Sequence, residues 1–199
     1  MLVPEIANGA APELEALRSS ARAAVEWACR NATSIGVLVP TDTPPPSPGG
    51  WSLDSFGTKV GVGPPVGLAE GIARWLLGGR TADVVGVDSR PGALCRFDAL
   101  LVMGDASAAR TEKAPLHHHP QAQAFDRSVV TAIRTADARA LAELDLALAQ
   151  AVGAAGAPAW VLLGRSLADV TSAELDAQED PYGVLYFVAR WTGRWALPA

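Results

Sequence analysis

Apolar positions along this chain switch between two periods, and the switches mark its elements. Leu14, Leu17, Ala21, Ala24 and Ala28 recur at helical spacing. Pro12 can open that helix, because the first helical position needs no N–H donor, and Asn31 ends it. Residues 35–39 form a short apolar run of the buried-strand type, stopped by Pro40. Residues 58–62 suggest a further short strand. Residues 65–77 read as a helix with Leu68, Ile72, Trp75 and Leu76 inward, terminated at Gly78-Gly79. Residues 83–87 and 99–103 are two more apolar strands. Beyond a polar stretch over 106–120, Phe125, Val129 and Ile133 mark one helix. Leu141, Leu144, Leu148 and Val152 mark another, with Asp137 placed to cap it. Residues 159–167 make a third. The tail changes character: residues 174–178, the turn Pro181-Tyr182-Gly183 and residues 184–191 read as strand, turn, strand, rich in aromatic and branched side chains.

Strands alternate with helices until the last third, and a hairpin closes the chain. The pattern predicts an α/β fold: a mixed, mostly parallel central sheet with helices on both faces and a C-terminal β-hairpin. A length of 199 residues, 49% of them hydrophobic and 19% charged, suits one domain over 1–199. No internal repeat interrupts it.

Charge and cysteine usage narrow the partners. The net charge is -5, and the arginines are scattered rather than clustered, which argues against a nucleic-acid surface. No run approaches the roughly 18 apolar residues of a membrane span. The start, Met1-Leu2-Val3-Pro4-Glu5, lacks a basic segment leading into a long apolar one, so a cytoplasmic protein is expected. Cys29 and Cys95 form no metal or redox spacing and read as two partly buried thiols.

Candidate chemistry concentrates after the strand at 99–103. Asp105, Ser107, Arg110, Thr111, Glu112 and Lys113 follow a buried strand, the usual place for ligands in open α/β sheets. Asp105 and Ser107 have two readings: they fix a turn by bonding nearby backbone, or they line a polar pocket in which Arg110 or Lys113 meets an anion. Glu179 and Tyr182 sit at the hairpin turn, as plain turn residues or facing that same pocket. The loop over 40–50, with Pro44-Pro45-Pro46, is a surface excursion or a second wall of the site. His117-His118-His119 is the one histidine cluster. Alternate side chains of an extended segment share a face, so His117 and His119 are weak metal candidates in a solvated loop. The glycines at 57, 61, 63 and 67 lack the lysine and spacing of a phosphate loop.

Three stretches together resemble the class III extradiol ring-cleavage dioxygenases, in the catalytic-subunit-like branch of actinobacterial type. They are Leu2-Val3-Pro4-Glu5 before an Ala-rich helix, Leu101-Val102-Met103-Gly104-Asp105-Ala106-Ser107-Ala108 running on to Pro115, and Pro181-Tyr182-Gly183-Val184-Leu185-Tyr186-Phe187-Val188-Ala189. The resemblance implies a mixed sheet sandwiched by helices with its site at the strand ends, and commonly a homo-oligomer. In active members two histidines and a glutamate hold Fe(II) for a catechol and O₂, and a further histidine after Gly-Asp-x-Ser acts as acid and base.

This sequence departs from that pattern at each histidine. The resemblance places the first ligand, and a strand, ahead of Leu2, and the sequence in hand carries neither. Pro40-Thr41-Asp42-Thr43 holds no histidine, and Ala108 occupies the acid/base position. Of the family's carboxylate, only Glu179 or Asp180 is a candidate. The expectation is a divergent relative without Fe(II) or ring cleavage that retains a small-molecule pocket. Two alternatives stand beside it: an oxidoreductase or other enzyme using Asp105, Ser107, Arg110 and Glu179, and a dimeric scaffold in which Trp191 and Trp195 cover the sheet or a subunit contact.

Overall fold

A computed structural model describes residues 2–7, 12–44 and 50–196. Three parallel strands form the centre: β1 (Ile35–Leu38), β4 (Asp83–Val85) and β5 (Ala99–Val102), in the order β4-β1-β5. Helix α2 (Glu15–Cys29) and helix α3 (Leu68–Leu77) cover one face. There Val25, Ala73 and Leu77 meet Val37, Val39 and Leu101. Helix α7 (Ala157–Ser166) and the 3₁₀ segment Pro91–Arg96 cover the other, packing Ala159, Leu162 and Leu94 against Leu38 and Val85. Apolar side chains on both sides explain why these strands read as continuous apolar runs.

The C-terminal pair is longer than its pattern suggests. Strands β6 (Leu167–Glu179) and β7 (Tyr186–Trp195) form an antiparallel hairpin with three register irregularities. Its apolar face, with Leu175, Phe187, Ala189 and Trp191, packs on a third cluster built from α7 and α4 (Ala122–Arg134). The expected α/β architecture, parallel centre, helices on both faces and terminal hairpin are all present.

Four local expectations change. The strand over 58–62 shrinks to β3 (Gly61–Val62), paired with β2 (Trp51–Ser52). Gly61 takes positive φ inside the run and Gly57 and Gly63 take it on either side, so the backbone turns there and only two residues pair. Helix α3 starts three residues late, because Val66 is still donating to the Ser52 carbonyl as part of an extended bridge. Its fully buried face is Glu70, Gly71, Ala73 and Leu77, while Leu68, Ile72, Trp75 and Leu76 are half-buried. The rotation follows from Gly71, where a Cβ would stand 2.2 Å from a Leu53 methyl, so that Leu53 seats directly on the helix backbone. Arg22 lies 4.8 Å over the Trp75 ring at the edge of the contact.

The helix expected across 137–152 is two short ones, α5 (Ala138–Ala142) and α6 (Leu146–Ala151). Each has its own aspartate cap. Asp137 accepts from the Ala140 amide at 2.8 Å, and Asp145 accepts from Ala147 and Leu148 at 2.9 and 3.0 Å. A second cap inside the apolar run starts a second helix. At the other end of the chain, Val3 is fully buried and the Leu2 carbonyl accepts from buried Arg18 at 2.7 Å, tying the segment around α1 (Pro4–Ala7) onto α2.

Candidate functional site

The segment leaving β5 enters the protein rather than skirting its surface. Gly104 passes close beneath α7: a Cβ there would lie 2.8 Å from Gly156 Cα and 3.1 Å from the Trp160 indole nitrogen. The Gly156 amide donates to the Asp105 carbonyl at 2.8 Å. Ala106, Ser107 and Ala109 are buried, so the polar stretch begins as part of the core.

Its anchor is Asp126 on α4, a fully buried carboxylate. Asp126 Oδ1 accepts the Ser107 backbone amide at 2.9 Å, and Oδ2 accepts the Ser107 hydroxyl at 3.0 Å. Arg110 Nη1 donates to the same Oδ2 at 3.2 Å. The other arm of Arg110 reaches Asp180 Oδ2, at the hairpin turn, also at 3.2 Å. A buried carboxylate needs such donors, since an isolated charge in the interior is strongly penalised. One arginine therefore links the post-β5 segment, α4 and the turn between β6 and β7. At that turn Gly183 adopts φ +72, and a Cβ on it would lie 2.1 Å from Thr111 Oγ1.

This network decides between the readings of the candidate residues. Ser107 is fully buried with its hydroxyl committed to Asp126, the arrangement of a turn-fixing residue and not of a nucleophile. Arg110 is paired with two carboxylates, which leaves no unopposed charge for an anionic ligand. Asp180, not Glu179, is the turn acid that joins the network. Glu179 stands opposite Tyr186 in the hairpin ladder. The Tyr182 side chain lies outside what the structure describes, as do residues 45–49 of the proline-rich loop.

Asp105 is different. It has no hydrogen-bond or ion-pair partner among the described residues, and part of its surface is open to solvent. Surrounding protein nevertheless displaces enough water that desolvation pushes its carboxyl pKa up. Half-buried Tyr186, at the start of β7, has its phenol pushed up by burial first and by the Asp105 charge second, so the two groups are within electrostatic reach. Phe187 and Trp160 stand next to them, with ring centroids 5.9 Å apart. Asp105 and Tyr186 are therefore the two titratable groups brought together at this strand end, with Glu179 opposite Tyr186 in the ladder.

Asp126 and Tyr186 are the residues that the sequence reading overlooked. For Asp126 a signal existed: Ala122, Phe125, Val129, Val130 and Ile133 define the inward face of α4, and position 126 falls within it.

No family model, curated protein or solved structure matches this chain. The residues present do not fit an iron centre of two imidazoles and a carboxylate. His117 and His118 are exposed on the loop, and His119 Nδ1 accepts from the Gln121 amide at 3.2 Å. Ala108 exchanges backbone bonds with Val152 and Leu116. Among the described residues, no three His, Cys, Asp or Glu side chains converge to hold an ion. Cys29 and Cys95 are half-buried free thiols. Among the described residues, no helix is long and apolar enough to cross a membrane.

The tryptophans considered for a subunit contact face their own fold. Trp191 Nε1 donates to the Ile133 carbonyl at 2.8 Å, and Trp195 Nε1 donates to the Phe97 carbonyl at 2.9 Å.

Proposed function

We propose that this protein is a divergent relative of the class III extradiol dioxygenases that binds a small molecule at the carboxyl end of its parallel sheet and does not cleave rings with iron. The observation that carries the reading is the division of labour after β5. Ser107, Arg110 and Asp126 satisfy one another, while Asp105 has no hydrogen-bond or ion-pair partner among the described residues and lies within electrostatic reach of Tyr186. A polar group left in that condition at a strand end of an α/β sheet is placed to meet a ligand. Ala108 at the acid/base position and the confinement of all three histidines to the loop at 117–119 support the loss of ring cleavage.

The test offers Fe(II) anaerobically to the untagged protein, followed by a catechol and O₂. The expected result is no stoichiometric iron and no ring cleavage, with catechol binding that weakens in Asp105→Asn. Tight one-to-one iron that survives replacing His117, His118 and His119 by Ala, together with ring cleavage, overturns the proposal.

A further inference from the structure

Helix α2 meets the C-terminal hairpin along a seam that leaves an open cleft of about 400 Å³. From the helix, Ser20, Ala23, Trp27 and Arg30 line it. They stand three or four positions apart, which puts them on one face of α2. From the hairpin, Asp176 of β6 and Arg190 of β7 line it. None of these residues belongs to the network after β5 or to the pair formed by Asp105 and Tyr186.

The hairpin side is fixed and its charges are spent. Arg190 donates to both oxygens of Asp176, at 2.8 and 2.7 Å, and also to the Glu174 carboxylate. Its guanidinium lies 5.2 Å over the Trp27 ring, which ties the indole to this ion-pair network. The helix side is the reverse. The half-buried Ser20 hydroxyl, the half-buried Trp27 indole N–H and the exposed Arg30 guanidinium have no hydrogen-bond or ion-pair partner among the described residues. The cleft therefore presents donors whose acceptors are missing, because the two carboxylates on its hairpin side are already engaged with Arg190. A cationic ligand would have to displace Arg190, whereas an anion meets an arginine that nothing neutralises.

We infer that the cleft between α2 and the hairpin is a second ligand site, which binds a small aromatic carboxylate through Arg30 and Trp27. These two residues are three positions apart, about 4.5 Å along the helix axis, so the guanidinium and the indole N–H reach one carboxylate together. Ala23 and the rim of the Trp27 ring take the apolar body of the ligand, which runs along the helix toward Ser20. Sites for small molecules have volumes of roughly 300–1,000 Å³ and combine an apolar wall with a few directed polar groups. The inference does not depend on the ligand proposed for Asp105.

The probe is 2-naphthoate, titrated into the full chain by calorimetry, with the Trp27 indole N–H followed by NMR. The expected result is saturable one-to-one binding that moves the Trp27 signal. Affinity should fall at least about tenfold for uncharged 2-naphthamide and by a similar factor in Arg30→Gln, while Asp105→Asn leaves it unchanged. Arg30 is exposed and unpaired, so its replacement leaves the fold intact, and matching thermal midpoints verify this. Trp27→Phe keeps a ring beneath Arg190 but removes the N–H donor, and should weaken binding as well. Absence of binding overturns the inference. So does binding that Arg30→Gln leaves unchanged, since Arg30 would then only complement the carboxyl end of the helix. Equal affinity for 2-naphthamide reduces the cleft to an apolar surface, and equal competition by inorganic phosphate reduces it to an unspecific anion site. Weakening by Asp105→Asn without movement of the Trp27 signal would place the ligand at the end of β5 instead. Each of these three results also overturns it.

Discussion

Ser107 and Asp126 are joined twice: one carboxylate accepts both the backbone amide and the hydroxyl of the same serine, 19 positions earlier in the chain. This double contact turns the segment after β5 into core and positions Arg110 to reach Asp180. Replacing Asp126 by Ala strands a buried arginine arm and a serine amide. A loss of roughly 3–5 kcal/mol is expected in chemical denaturation. Asp180→Ala removes only the exposed partner of the same arginine and is expected to cost no more than about 1 kcal/mol. Equal losses for the two variants would contradict a network centred on Asp126.

Asp105 and acid pH make a second case. Its folded pKa is raised by desolvation, so ionising it works against the fold. The stability it contributes is complete below the ordinary carboxylate range and is lost as pH rises through its raised value. Asp105→Asn is therefore expected to be more stable than the parent at pH 7, with the difference vanishing toward pH 3. Denaturation midpoints of both proteins across that range check the sign. A less stable variant at pH 7 would mean that the charge has a favourable partner.

Asp98 has the opposite sign. The Thr33 hydroxyl, at 2.6 Å, followed by the Thr33 and Ser34 amides, lowers its carboxyl pKa to about 2. Its contribution is present above the ordinary carboxylate value near 4 and is lost as pH falls toward 2. Asp98→Asn should flatten the acid limb of the stability curve in that window and leave the shape above pH 5 unchanged. An unaltered acid limb would rule out this staple between the start of β1 and the start of β5.

Helix capping separates two neighbouring aspartates from the rest of the surface. Asp145→Ala removes the acceptor of two amides in a six-residue helix and is expected to cost about 1 kcal/mol. Asp145→Asn should recover most of the loss, measured by urea denaturation.

The indole bonds of the hairpin give a further check. Trp195→Phe keeps an aromatic ring against the cluster that holds Leu38, Leu94 and Phe97 but leaves the Phe97 carbonyl without its donor. A cost of roughly 1–3 kcal/mol is expected from thermal or chemical unfolding.

Much of the architecture was legible in the residue pattern, because periodicity is a local consequence of burial. Runs buried on both faces at 35–38, 83–85 and 99–102 read as parallel strands, and the amphipathic stretches read as the helices that cover them. Boundaries failed where a local rule met a competing one. Three glycines with positive φ shortened β3, and a second aspartate cap split the helix over 138–151. The orientation of α3 depended on Leu53 filling the space over Gly71, which helical periodicity does not encode.

The candidate site divides along the same line. The candidate location after β5, with Asp105, Ser107 and Arg110 in it, was legible in the sequence, since a polar run following a buried strand emerges at the sheet's carboxyl edge. Their roles were decided by tertiary structure. Asp126, Asp180 and Tyr186 come from distant parts of the chain, and only packing brings them to Ser107, Arg110 and Asp105. Whether a carboxylate is saturated or unpartnered depends on which donors the fold delivers to it, and no local spacing carries that information. The neighbour of β5 belongs to the same class of fact: a strand's pattern shows that it is buried, while only the assembled sheet shows that β1 pairs with it.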